Sequence, residues 1–515
     1  MKKVFILLLG FLFTQCTKQD DAIVVDVCIY GGTSSGVIAA YAARLQGKSV
    51  ILIEPGSRLG GMSSGGLGQT DIGNKQAITG MARDFYKQIG KHYGQEEQWI
   101  FEPHVAEKVF LDHVKKADIN VLYRHRLSSV TKEESRIKEI VIEHAAGSEK
   151  NKIVRAKMYI DCSYEGDLLA KAGVSYTIGR ESNAQYGETY NGVQLLDKHQ
   201  FRDGVDPYVI PGKPESGLIW GISPETLAEN GTGDSKVQAY NFRLCLTNNP
   251  ENRIAITRPD DYDSTKFELL LRQIKSYTPD SLNWQLLHIA PMPNQKTDIN
   301  NCGGFSSDMI GMNYNYPDGD YATRDKIFQE HLSYTKGWLY FLGHDPRMPE
   351  HLRNDMLQWG YPKDEYPDSD HFTPQLYIRE ARRMVSDYVM TQHHCQGREV
   401  AEDVAGMAAY TMDSHNIQRI VVNGMVKNEG DVQIGGFGPY PVSYRSIVPK
   451  KSECTNLIVP VCLSASHIAY GSIRMEPVFM VLGQSAATAA CMAIDDGSSV
   501  QEIDVKKLRS MVGIN

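Results

Sequence analysis

No two of the nine cysteines form a C-x-x-C pair; Cys16, Cys28, Cys162, Cys245, Cys302, Cys395, Cys454, Cys462 and Cys491 are scattered. A redox-active dithiol and an iron–sulfur cluster both need grouped thiolates, so the sequence argues against both, and no metal is expected. Basic tracts are lacking as well. Lys and Arg number 54 against 62 Asp and Glu, for a net charge of -8, which gives no footing to a nucleic-acid partner. There is no internal repeat and no low-complexity segment. Beyond the first residues, no stretch reads as a transmembrane helix. A chain of 515 residues with 42% hydrophobic content is instead long enough for two or three globular domains.

The amino terminus stands apart. Lys2 and Lys3 precede Val4–Phe13, an apolar run too short to span a bilayer but matching the first two regions of a secretory signal. Cys16 follows, then the polar spacer Thr17–Asp21. This is similar to a bacterial lipoprotein signal with Cys16 as the lipidated first residue, although Gln15 stands where a small residue belongs. Export is expected, to the periplasm or to an outer-membrane anchor. Lipidation and simple cleavage both remain open.

The chain is organised around Val24–Gly61. Val24–Tyr30 is apolar and β-branched, as a buried parallel strand should be. Gly31-Gly32-Thr33-Ser34-Ser35-Gly36 follows at once, then an Ala-rich helix to Gln46, closed by Gly47. Ser49–Ile53 is a second strand, ended by Glu54. Gly31 permits the tight strand-to-helix turn, Gly36 lets the helix approach the sheet, and the helix N-terminus offers its N–H groups to a pyrophosphate. Glu54 stands where an acid holds the adenosine ribose. Thr33 replaces the second fingerprint glycine, with Gly32 beside it.

Arg58-Leu59-Gly60-Gly61, running on through Met62 to Gly66, resembles the R-x-G-G signature of FAD enzymes of the glutathione-reductase-like superfamily. In that reading the glycines close on the cofactor and Arg58 offsets phosphate charge. Further on, helices are expected over Ala77–Tyr93 and His104–Lys116. Strands follow at Val121–Tyr123, Ser128–Thr131 and Ile137–Glu143, an insert that resembles the small sheet carried by flavin folds of this type between the halves of the FAD domain. Lys152–Asp161 returns to the main sheet and enters Ser163-Tyr164-Glu165-Gly166-Asp167, of which Gly166 and Asp167 match the end of a flavoprotein turn near the ribose.

The segments divide as 1–21 signal and tether, 22–174 first part of an FAD domain, 175–374 an inserted α+β substrate or cap domain, and 375–515 the second part of the FAD domain. The cap is rich in Tyr, Trp, Asn and Asp; within it Trp338 and Phe341 read as core. Tyr377–Met390 is expected as a helix, Ile417–Val426 as a hairpin around Asn423-Gly424, Asn456–Val461 as a strand, and Pro477–Ile494 as the last long helix. The fold class is α/β: a discontinuous Rossmann-like FAD-binding domain with that insert.

Together GGTSSG, GGMSSGG, SYEGDL, KTDINN, LYIREARRM and SASHIAYGSIRMEP resemble one family. It is that of bacterial FAD-dependent oxidoreductases distantly related to the flavin subunit of heterodisulfide reductase, a branch sometimes labelled xanthan lyase. The iron–sulfur motif of that subunit is missing. The resemblance implies bound FAD, held by Gly31, Gly32, Thr33, Gly36, Glu54, Arg58, Gly60, Gly61, Met62, Gly166, Asp167 and Met475. It also implies that the last long helix starts beside the flavin. Just upstream, His467 is the candidate acid or base and Arg474 a candidate anion ligand; His104, Arg243 and Arg445 are weaker candidates.

The implied activity is hydride transfer from a small hydroxylated, carbohydrate-like molecule to flavin. The electron acceptor is open, since residues 151–374 hold no second nucleotide fingerprint. A polysaccharide lyase and a surface glycan-binding lipoprotein are the alternatives.

Overall fold

The computed structural model describes residues 22–514. The expected signal and the anchor at Cys16 lie outside the described residues. Strand β1 (Ile23–Tyr30) is β-branched and buries its second half. It lies between two parallel neighbours, β2 (Val50–Glu54) and β6 (Lys152–Asp161). Helix α1 (Ser34–Leu45) is buried from Ser34 through Ala43, as an apolar helix sandwiched between layers must be. Helices α2 (Gly80–His92) and α3 (Pro103–Lys116) lead to β3 (Asn120–Tyr123), which extends the parallel sheet beyond β2.

The next two strands correct one expectation. β4 (His125–Glu133) and β5 (Arg136–His144) do not form a sheet of their own. They continue the main one in the order β3-β2-β1-β6-β5-β4. The reason is the length of β6. Its first residues pair antiparallel with β5, as in Ile140↔Val154, and its last pair parallel with the returning strand Leu457–Ile458, as in Leu457↔Tyr159. One long strand thus serves two partners in succession. That returning strand closes the discontinuous domain and is shorter than the expected Asn456–Val461.

The long helix Glu476–Asp496 seals the layer behind α1. A Cβ on Gly483 would lie 2.5 Å from Ser35 O, so the two helices cross at backbone contact. By length and composition this helix is apolar enough to cross a membrane, yet it is packed inside the protein.

A second, antiparallel sheet lies in the middle of the chain. Its order is Arg253–Ala255, Gly360–Pro362, Leu244–Thr247, Lys296–Asn301, Leu287–Met292. The helix Tyr321–His344 accompanies it, with Trp338 and Phe341 buried as core.

Tyr377–Met390 is not a helix. Leu376–Tyr377 pairs with Asn241–Phe242, and Arg383–Met384 with Tyr176–Thr177. Arg379, Glu380, Arg382 and Arg383 are all buried. Each finds a partner on a different element, which an extended chain permits and a helix does not; tertiary pairing overrides propensity here. The stretch expected as a loop before Glu476 contains the helix His467–Ile473, capped by Ser466. The hairpin Gln418–Val422/Met425–Glu429 forms as expected, with positive φ at Asn423 and Gly424. All eight cysteines among the described residues are free and buried.

Candidate flavin site and redox face

The turn between β1 and α1 is pinned from three sides. Thr33 caps α1: its Oγ1 accepts from Gly36 N at 3.3 Å and donates to Cys162 O at 2.8 Å. A third glycine could not do this. Gly31 has φ +97°, and a Cβ there would lie 2.6 Å from Ser163 N; one on Gly36 would lie 1.9 Å from Gly31 O. The second glycine turn docks on the first, with Gly60 N donating to Gly32 O at 2.8 Å. Gly60 and Gly61 are both left-handed. The result is a lean backbone cradle ending at the first turn of α1, whose N–H groups have no intrahelical acceptor.

A cavity of about 210 Å³ borders this cradle, lined among others by Gly31, Thr33, Glu54, Arg58, Ser163 and Tyr164. Glu54, at the end of β2, accepts from Gly32 N at 2.7 Å and Gly56 N at 2.5 Å. Burial pushes its carboxyl up to about 7 against those two bonds. Arg58 also faces the cavity, but its guanidinium is shared by Glu107, at 2.5 Å, and Asp368, and lies over the Tyr366 ring.

In the turn after β6, Ser163, Tyr164 and Glu165 line the cavity, although their sequence departs from the flavoprotein pattern. Gly166 supplies a left-handed N-cap. Asp167 is committed to Arg324 and Arg382, at 2.9 Å each.

Sequence reading passed over Glu476, the first residue of the long helix after Met475. It is buried and accepts from Tyr164 OH at 2.6 Å and Ser63 Oγ at 3.1 Å, while Met62 N donates to Tyr164 OH at 2.9 Å. Burial raises its carboxyl above the usual range, against hydrogen bonds that include Ser34, Tyr164 and Ser63. This one side chain ties the second glycine turn to the long helix. The residues present therefore fit FAD. There is a cradle that any Cβ would fill, a helix start suited to a pyrophosphate and a carboxylate suited to a ribose, whereas Arg58 is already engaged by Glu107 and Asp368.

Beyond Gly66 the chain enters a cluster of buried charge. Arg243 grips Asp298 in two bonds, Nε to Oδ1 at 2.9 Å and Nη2 to Oδ2 at 2.6 Å, and its Nη1 reaches Asp71 at 3.3 Å. Tyr410 OH donates to Asp71 at 3.3 Å, and that negative charge is the main reason the Tyr410 hydroxyl is held far above its ordinary range. Arg474 donates to Tyr377 OH at 2.8 Å and to Asp413 O at 3.0 Å. Arg379 pairs with Asp308 at 3.0 Å and lies 4.6 Å over the Tyr377 ring. Burial works against Asp308, but Arg379 and His415 hold its carboxyl down at about 2. Arg383 bridges Glu181 and Glu380 at 2.7 Å each, while Arg243 serves Asp298 and also reaches Asp71, which keeps a quarter of its side chain exposed.

His467 is also brought to this junction, but both ring nitrogens are engaged. Nδ1 lies 2.7 Å from Glu380 Oε2 and Nε2 lies 3.0 Å from Ser414 Oγ. The ring is buried, and its backbone N–H donates to Glu181 at 2.9 Å. Of the weaker candidates, Arg445 sits in an exposed pair with Asp403. His104 leans on Glu365 at 2.7 Å. Glu102, His104 and Glu365 converge as metal ligands would, but the Lys296 ammonium already stands among them, 2.7 Å from Glu102 and 2.8 Å from Glu365.

A glycine cradle at the first βα turn of a parallel sheet, with an acid closing the second strand, defines a dinucleotide-binding protein of Rossmann-like build. The chain belongs to the FAD dependent oxidoreductase family, whose model matches residues 26–512.

Among solved structures it is similar to the THI4 protein of Thermovibrio ammonificans, at 19% identity over 31% of this chain and 66% of that one, with a TM-score of 0.25. It is also similar to 3-ketosteroid-delta4-(5alpha)-dehydrogenase of Rhodococcus jostii, at 14% identity over 30% of this chain and 49% of that one (TM-score 0.22). The anhydrotetracycline hydroxylase OxyS of Streptomyces rimosus matches at 11% identity over 35% of this chain and 36% of that one (TM-score 0.25). The chain spans less than two thirds of each, and superpositions this partial say nothing of substrate. No curated protein matches the chain.

Proposed function

We propose that the protein oxidises an alcohol group of a small hydroxylated, carbohydrate-derived molecule where the glycine segment Gly60–Gly66 meets the buried charge cluster. The observation that carries this reading is Asp71. It is the most exposed carboxylate of the cluster, it shares Arg243 with Asp298, and it lies between the Tyr410 hydroxyl and that arginine. Bound FAD supplies the acceptor for the hydrogen and two electrons that leave the substrate carbon. Asp71 takes the hydroxyl proton as that carbon is oxidised to a carbonyl. The Tyr377 and Tyr410 hydroxyls and the Arg474 guanidinium position the neighbouring hydroxyls. Glu476, Ser63 and Tyr164 hold the Met62 backbone in place. With Asp71 as base, His467 is a positioning residue that orders Glu380 and Ser414.

The enzyme in this reading is exported and anchored through Cys16, and passes electrons to a quinone, a redox protein or oxygen. The test is anaerobic mixing of purified protein with a panel of monosaccharides, polyols and sugar acids. One of them should bleach the flavin where buffer does not. A flavin that no hydroxylated compound reduces would overturn the reading. Mass spectrometry of the mature amino terminus tests the anchor, and an intact Met1 would contradict export.

A further inference from the structure

Trp284 is placed unlike the core tryptophans. Trp338 and Trp99 are buried, whereas Trp284 is 67% exposed. Its backbone is left-handed at φ +62°, an outlier for a bulky side chain. The fold maintains it there: Trp284 N donates to Leu287 O at 2.7 Å, and the neighbouring Asn283 side chain accepts from Ile289 N at 2.9 Å. The indole is backed on one side by the His288 ring, with centroids 3.8 Å apart and planes at 29°. A large aromatic face is thereby held rigid and turned to water. Beside it runs a shallow cleft of about 730 Å³, bordered also by Tyr277, Arg202, Asp197 and Asp280. Arg202 lies 4.2 Å over the Tyr277 ring, so a second aromatic plane is fixed in the same cleft. Asp197, Asp280 and Arg202 are exposed along it.

We infer that this cleft binds a neutral oligosaccharide, with Trp284 as its stacking platform. The chemistry is specific in kind. A pyranose presents an apolar C–H face to a flat ring and equatorial hydroxyls to its sides. An exposed indole flanked by carboxylates and a guanidinium matches that combination of one apolar surface and a few polar groups. Two exposed carboxylates against one guanidinium disfavour a phosphorylated or acidic ligand. The cleft adjoins the redox face. His288 and Asp298 lie on paired strands, with His288↔Asn300 and Ala290↔Asp298 in register. The inference does not depend on the redox substrate being a sugar.

The test is isothermal calorimetry together with tryptophan fluorescence on the FAD-loaded protein, using cellohexaose, xylohexaose and mannohexaose, with hexagalacturonic acid as the acidic control. At least one neutral hexasaccharide should bind. Trp284→Ala should weaken it by about ten-fold or more, as loss of an aromatic anchor does, and Trp284→Phe should restore most of the affinity. Reduction of the flavin by a small substrate should proceed at the wild-type rate in both variants. If no neutral hexasaccharide binds the wild-type protein, or if Trp284→Ala binds as tightly, the inference is overturned. Since binding is read without turnover, failure here is distinguishable from failure of the proposed oxidation.

Discussion

The cofactor cradle and the charge cluster beside it are built by opposite means. The cradle is made of backbone. Gly31, Gly36, Gly60 and Gly61 act by having no side chain, and all lie within a short stretch of the chain. The cluster is made of side chains from segments far apart in sequence. Asp71 comes from the end of the glycine segment, Arg243 from the residue before strand Leu244–Thr247, Asp298 from the antiparallel sheet, Tyr377 and Arg379 from the extended return, Tyr410 from a later loop, and Arg474 from the turn before the long helix. A backbone site tolerates no added atom but needs no partner. A side-chain site tolerates reshaping but fails when one member of a pair is removed.

The largest effect should come from adding atoms to the cradle. Gly36→Val places carbon where Gly31 O already stands, so the turn cannot close. The protein should be recovered without flavin, if folded at all; a yellow Gly36→Val protein would break the comparison. Next is Arg243→Met, which leaves Asp298 buried and uncompensated and should cost about 3–5 kcal/mol, read as a large fall in melting temperature. His467→Ala removes a partner from the buried Glu380 and should cost about 1–3 kcal/mol, with FAD retained. A loss of flavin reduction in that variant without any loss of stability would return His467 to the chemistry.

Another effect is a matter of pH. Burial raises the Glu54 carboxyl from 4.5 to about 7, so the folded FAD-free protein binds this proton more tightly than the unfolded chain does. Its contribution to stability is therefore full below about 4.5 and lost as pH rises through about 7, with a slope of at most about 1.4 kcal/mol per pH unit. FAD affinity should move the other way over the same window, because the ionised carboxylate is the better acceptor for ribose hydroxyls. Glu54→Gln should flatten both profiles in thermal melts and FAD titrations.

The same contrast explains what could be read from the sequence. The β1 turn, α1, Glu54, Gly60 and Gly61 were legible because their physics is local: a glycine at a fixed offset has one geometric meaning. Thr33 looked like a departure and is in fact a cap that also bonds Cys162 O. The helix expected at Tyr377–Met390 failed because Arg379, Glu380 and Arg383 look like a solvated helical face until their distant partners Asp308, Glu181 and His467 are known. Asp71 carried no local signal at all. Glu476 did, since an acid before a proline at a helix start resembles a cap, but its partners Ser63 and Tyr164 come from elsewhere. Gly166 takes the left-handed turn, yet the cavity is lined by the residues before it.

The central claim is that chemistry sits with Asp71, the partly exposed carboxylate at the junction. It is tested most directly by stopped-flow reduction of the flavin in Asp71→Asn, under anaerobic conditions, with the compound that bleaches the wild-type protein. Asp71→Asn should keep its FAD and its melting temperature but be reduced about 10²–10⁴-fold more slowly, the usual worth of a positioned base. Reduction of Asp71→Asn at the wild-type rate would contradict the account.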